Sequence, residues 1–136
     1  MFRFYWGDTF RYHDWNLSYN DEMYRASGWL RSHVPRDAVV GSWNAGVLGY
    51  YSGQRVVGID GLVAGYDIVP YIRNGQISRY IERSRVTYLA DLSTEFTDTH
   101  PEVARELRLK EVYSHYSAFA LTDYKIYQLL PAGSDG

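Results

Sequence analysis

Apolar residues in this chain recur in two rhythms, one helical and one of short unbroken runs, and their alternation marks out the elements. Met23, Ser27, Leu30 and Val34 fall at helical spacing beside Trp29. Asn20 precedes them as an N-cap, Asp21 and Glu22 occupy the first turn where the helix dipole favours acids, and Pro35 ends the run. Ala38 to Trp43 is then short, apolar and β-branched, which predicts a buried strand. Ala45 to Tyr51 predicts a short helix closed by Ser52-Gly53, and Arg55 to Asp60 a second buried strand. From Ala64 to Ser84 the pattern predicts two helical pieces separated at Asn74-Gly75, a strong turn signal, with Ile77, Tyr80 and Ile81 forming an apolar stripe.

Val86 to Asp91 predicts a third strand. Thr99-His-Pro-Glu102 has capping-box spacing and predicts a helix through about Leu109, with Val103 and Leu107 inward. Glu111 to Leu130 alternates as a hairpin does, with its turn around Thr122-Asp123. Strands alternating with helices imply an α/β fold of three layers. Its mainly parallel sheet would have about five strands, with an antiparallel C-terminal hairpin and helices on both faces. No linker or repeat divides the chain. Residues 20–130 are expected to form a single domain, preceded by an aromatic arm over 1–19 and followed by a loose tail over 131–136.

Composition narrows the function classes. A net charge of -2 supplies no basic field for phosphate backbones, which argues against a nucleic-acid partner. With no cysteine, disulfides, thiolate catalysis and Cys-ligated zinc are excluded. The aromatic residues crowd the start of the chain, including Phe2, Phe4, Tyr5, Trp6, Phe10, Tyr12, Trp15 and Tyr19. Such rings favour membrane–water boundaries, so the segment fits a position just outside a bilayer; the alternative is an arm packed on the domain. Asn16-Leu-Ser18 forms a short glycosylation sequon.

Open α/β sheets hold ligands beyond the carboxyl ends of their strands. Those ends carry Trp43 and Asn44, then Asp60 and Gly61, then Asp91. If the strands run side by side, two acids, an amide and an indole share one rim suited to sugar hydroxyls or to a cation between the acids. The simpler reading makes Asp60-Gly61 a turn and Asp91 a cap. Asp60 also ends the second strand about 20 residues after the first, as a dinucleotide fingerprint asks. The glycines do not match it, because Gly41, Gly46 and Gly49 are not spaced G-x-G-x-x-G and bulky Trp43 stands where a pyrophosphate must approach. No P-loop, no G-x-S-x-G elbow and no H-E-x-x-H occurs, and His13, His33, His100 and His115 are scattered. The sequence therefore offers no catalytic set, no cofactor and no metal site.

The block from Val39 to Val63 resembles the water-facing C-terminal domain of polytopic membrane proteins of the protein-mannosyltransferase-like glycosyltransferase class. The matching pieces are Trp29-Leu30, Pro35-Arg-Asp-Ala38, Trp43 to Gly53, Arg55 to Val63, Tyr80-Ile81 and Val86 to Leu89. The likeness departs at Gly58 and Ala64, where that family often carries polar residues. The resemblance implies a domain on the extracytoplasmic face of a membrane, attached to a sugar-transferring body that uses a polyprenyl-phosphate-linked donor. It transfers no catalytic residue, since the catalytic acid of such proteins belongs to their membrane portion. The expected role is a non-catalytic accessory domain that binds a glycan, an acceptor or a polyprenyl-phosphate-sugar headgroup, with Trp43, Asn44, Asp60 and Asp91 as the candidate ligand-binding residues. The membrane portion of the parent protein is its expected partner. Two alternatives stand beside it: a structural or protein-interaction domain, and a stand-alone nucleotide- or sugar-binding α/β enzyme.

Overall fold

The computed structural model describes residues 19–61, 65–118 and 120–133. The aromatic arm short of Tyr19, the sequon at Asn16, Ala64 and the last three residues of the tail lie outside them.

Helix α1 (19–33) is already in place at Tyr19, so Asn20, expected as its N-cap, sits within the helix. Pro35 follows its end, as predicted, because proline cannot continue the hydrogen-bond ladder. Strand β1 (Val39–Ser42), helix α2 (Ala45–Tyr51) and strand β2 (Arg55–Gly58) come next. A 3₁₀ turn (Tyr66–Ile68) leads into α3 (Val69–Arg73), and α4 (Ile77–Arg83) follows the break at Asn74-Gly75. Strand β3 (Tyr88–Leu92), a wide π-type turn (Glu95–Thr99) and α5 (Pro101–Glu106) precede the hairpin of β4 (Leu109–Ser117) and β5 (Thr122–Leu129).

The five strands lie in the order β2-β1-β3-β5-β4. β1 pairs in parallel with β2, Val40 opposite Val56, and in parallel with β3, Gly41 opposite Leu89. β5 runs antiparallel to both β3 and β4. The fold is thus the α/β class read from the sequence, with the hairpin as its antiparallel part.

Side chains alternate along the strands, and the core divides accordingly. Val40, Ala90, Tyr124 and Ile126 join Met23, Leu30 and Leu48 in one buried cluster, beneath α1 and α2. Leu89 belongs to the other cluster with Ile77 and Ile81 of α4 and Val103 of α5, and Val39, Val57, Tyr127 and Leu129 pack against that cluster. Gly41 sits where β1 and β3 pack closely, since a Cβ there would stand 2.9 Å from Leu89 Cδ2. A side chain braces the C-terminal end of α1, where Leu30 O already accepts the Val34 N–H at 3.0 Å. Gln54 Nε2 donates to Leu30 O at 3.1 Å and to Val34 O at 3.3 Å.

Other boundaries also differ from expectation. β4 ends at Ser117 and Thr122-Asp123 begins β5 instead of forming the tip of the hairpin. Ser117 Oγ accepts the Ala120 N–H at 3.1 Å, and this local bond sets the turn earlier. Helix α5 starts at Pro101, which suits a first helical position because its missing N–H would be unpaired there in any case. Thr99 belongs to the π-type turn, so the expected capping box does not form. The helix also ends before Leu107, which is extended and leads into β4.

Candidate functional site

Parallel pairing of β2, β1 and β3 brings their carboxyl ends to one side of the sheet. Ile59 N–H donates to Ser42 O at 3.0 Å, carrying the β1–β2 ladder one residue past Gly58. Gly61 then turns the chain at φ +81°, a conformation that favours glycine. The four candidate residues divide at this rim into two groups with different surroundings.

Asp91 is fully buried. Its Oδ1 accepts from the Tyr19 hydroxyl at 2.9 Å and from its neighbour Leu92 N–H at 2.8 Å. Its Oδ2 accepts from Ser42 Oγ at 3.1 Å, Trp43 N–H at 3.0 Å and Asn44 N–H at 3.3 Å. Burial raises its pKa, while the bonds from Leu92, Tyr19, Ser42 and Trp43 hold that rise back. Burial, and next the Asp91 charge, likewise push the Tyr19 hydroxyl far above its ordinary value. Asp91 therefore ties β3, α1 and the β1–α2 turn together from inside. The Asn44 backbone is held in this knot, also donating to Ser42 Oγ at 3.1 Å, and the residue as a whole is exposed.

Trp43 and Asp60 lie together elsewhere. Both line a cleft of about 170 Å³ with Ile59, Ile72, His100 and Glu102, floored in part by Gly75 and Ile77. The Trp43 indole is 5% exposed. His100 stacks on it with ring centroids 4.9 Å apart and planes 9° from parallel. Phe96 meets it edge-on at 5.2 Å. The indole Nε1 is buried and has no hydrogen-bond partner among the described residues. His100 Nδ1 is 3.4 Å from Glu102 Oε1.

His100 reaches this place through the π-type turn, where its backbone N–H donates to Glu95 O at 2.8 Å. Burial, and next the Asp91 charge, raise the pKa of Glu95, and His100 counters them. Glu95 thus feels both the buried knot and the cleft. Sequence reasoning missed His100 and Glu102 as lining groups. Their only signal was the pairing His-Pro-Glu at a helix start, which reads more simply as a turn.

Chemically, the cleft is lined by two carboxylates, an imidazole and the Trp43 ring system between isoleucine walls. It holds no serine or lysine nucleophile, and no cluster of three metal-ligating side chains occurs among the described residues. No described helix is long and apolar enough to cross a membrane. No curated protein and no solved structure matches the chain. Residues 12–130 match the model of the family described as Domain of unknown function (DUF8728), and the chain belongs to that family.

Proposed function

We propose that this chain is a non-catalytic, sugar-binding accessory domain of a membrane-bound glycosyltransferase-like protein, working on the extracytoplasmic face. The observation that carries this reading is the cleft beyond β1 and β2, where Trp43, Asp60, His100 and Glu102 meet. Carboxylates accept hydrogen bonds from sugar hydroxyls. At about 170 Å³ the cleft is smaller than the roughly 300–1,000 Å³ sites of drug-sized ligands, so it suits a single sugar unit. The sequence block that resembles the glycosyltransferase-linked domains runs through this same rim, from Trp43 to Asp60 and Gly61. The crowded aromatic start of the chain fits a position beside a membrane.

Titration of the chain with monosaccharides, followed by the NMR signal of the Trp43 indole N–H, tests the reading. Millimolar binding that is lost in Asp60→Ala at an unchanged melting temperature supports it. Robust turnover of a glycoside by the isolated chain would overturn the non-catalytic part. Reading frames of longer family members that place no membrane helices beside this domain would remove the membrane context.

A second reading, a protein-interaction domain, draws on a different surface. Tyr24 (α1) and Tyr50 and Tyr51 (α2) are 56%, 81% and 42% exposed, and their rings touch, with centroids 5.0 Å apart for Tyr24–Tyr51 and 4.7 Å for Tyr50–Tyr51. Loss of stability in Trp43→Ala and Asp60→Ala, with no sugar effect, would favour that reading.

A further inference from the structure

The hairpin at the edge of the sheet has an apolar tip. Between Ser117 of β4 and Thr122 of β5 the sequence is Ala-Phe-Ala-Leu, without a charged side chain. Leu121 carries two costs at once. Its backbone lies in the left-handed region at φ +54°, which an L side chain disfavours and a glycine or asparagine adopts more readily. Its side chain is 76% exposed, and Tyr116, one strand pair back from the tip, is 58% exposed. A lone exposed leucine is ordinary on a protein surface. A leucine that is both exposed and held in a strained turn conformation asks for a compensating contact.

The position of the tip in the fold points to what meets it. Leu92, at the end of β3, pairs with Tyr124 near the start of β5, so the tip projects from the same end of the sheet as the carboxyl rim. α1 begins at that end too. The Tyr19 hydroxyl donates to Asp91, and the Glu22 carboxylate lies 2.8 Å from Nδ1 of His115, two residues before Ser117. The chain therefore enters α1 at the end that carries the tip, and the residues before Tyr19 include Phe2, Phe4, Trp6, Phe10 and Trp15. Such rings favour the boundary between water and lipid. An apolar tip and an aromatic approach at one end of the sheet suit the same partner, a lipid interface. The net charge of -2 gives no attraction to anionic lipid, so apolar insertion is the force available to hold the chain there.

We infer that the β4–β5 tip dips into the headgroup region of a bilayer with Leu121 as its anchor, which turns the carboxyl rim and its cleft toward the lipid surface. This rests on the membrane-side placement proposed above and adds an orientation to it. Burial of the leucine side chain in the interface offsets the cost of its backbone conformation, which accounts for leucine at a position that suits glycine.

The test floats the full 136-residue chain with phosphatidylcholine vesicles and compares it with Leu121→Asn. Asparagine tolerates the left-handed backbone, so the variant is expected to melt at or slightly above the temperature of the parent. Its vesicle partitioning is expected to fall on the order of five- to tenfold, less than full burial of a leucine would give. The chain has no cysteine, so Leu121→Cys and Arg108→Cys can each carry a single environment-sensitive fluorophore, the second at the opposite end of the hairpin. Vesicles should blue-shift the label at 121 and leave the label at 108 unchanged. Flotation unaffected by Leu121→Asn, or equal shifts of both labels, overturns the tip contact and leaves the membrane-side placement standing. A parent chain that does not float at all overturns the inference, while the monosaccharide titration decides the sugar-binding role separately. Marked destabilisation by Leu121→Asn would show that the leucine packs within its own chain, and loss of a dimer in that variant would place a second copy on the tip. Either result overturns the lipid contact.

Discussion

Asp91 and Asp60 occupy comparable places, each just beyond or at the carboxyl end of a strand, yet they live in different chemistry. Asp91 is the penultimate residue of the central strand β3, where Tyr19, Ser42, Trp43, Asn44 and its neighbour Leu92 all direct donors at it. Asp60 follows β2, the edge strand, and borders an open cleft. A carboxylate surrounded by donors is given over to architecture, because every lone pair that holds a turn is withdrawn from a ligand. Asp60, beside the sheet edge, is only half-buried and borders space that a ligand can reach. Position across the sheet, more than position along the chain, separates a structural acid from a candidate binding one.

The hardest test of this contrast is Asp91→Ala. It leaves a buried tyrosine hydroxyl, a serine hydroxyl and the turn's backbone N–H groups short of an acceptor, each costing roughly 1–3 kcal/mol when wholly unmet. With partial relaxation the net loss should be about 3–5 kcal/mol, a fall in melting temperature on the order of 15 °C for a domain of this size. A variant that melts within a few degrees of the parent would show that the knot is incidental. Alkaline pH probes the same place without mutation. Burial, and next the Asp91 charge, raise the pKa of Tyr19 and of Tyr124, while burial is the leading cause for Tyr113 and Tyr127 as well. The folded chain then binds more protons than the unfolded chain once pH passes the ordinary tyrosine value near 10, so stability must fall as pH rises further. Each such tyrosine contributes up to about 1.4 kcal/mol per pH unit. Melting curves from pH 9 to 12, with tyrosinate absorbance recorded alongside, should show ionisation and unfolding together. Ionisation that runs to completion before unfolding would contradict the burial.

Tyr19→Phe is a narrower cut. It removes one donor from Asp91 and keeps the ring in the cluster with Met23 and Leu30. A hydrogen bond to a charged partner contributes about 1.5–3 kcal/mol, and the remaining donors absorb part of its loss, so about 1.5 kcal/mol is expected by chemical denaturation. The alkaline slope should also become shallower in this variant. An unchanged slope would assign the pH effect to the other tyrosines.

The sequence made one half of the comparison legible. Short β-branched runs place β1, β2 and β3, and strand order alone then puts Trp43 and Asp60 at a common rim, where the cleft brings them together. The fate of Asp91 was not legible, because its partners Tyr19 and Ser42 lie 72 and 49 residues away and no local pattern marks them as donors. His100 was hidden for a related reason. Thr99 to Glu102 has the spacing of a capping box, yet the preceding segment winds as a π-type turn, and the i to i+5 bond from His100 to Glu95 swings the imidazole over Trp43. Gln54 shows the same limit, since a polar residue before an edge strand gives no hint that it closes the end of α1. Patterns of period two and 3.6 report which face is buried. They do not report which distant group supplies a hydrogen bond.

The mildest substitution is the most discriminating. Asp60→Asn keeps the shape of the side chain and most of its hydrogen-bonding capacity, and it removes the charge at a site only partly buried. Changes of this kind away from the core usually stay within about 0.5 kcal/mol. The melting temperature should therefore move by a few degrees at most, in contrast with Asp91→Asn, where an amide NH₂ would be forced against converging donors. If Asp60→Asn instead destabilises the chain as strongly as Asp91→Asn, then Asp60 is a second architectural acid and the edge of the sheet is braced as firmly as its centre. If it leaves stability intact and changes only what the cleft binds, the two aspartates are divided by burial, as their surroundings imply.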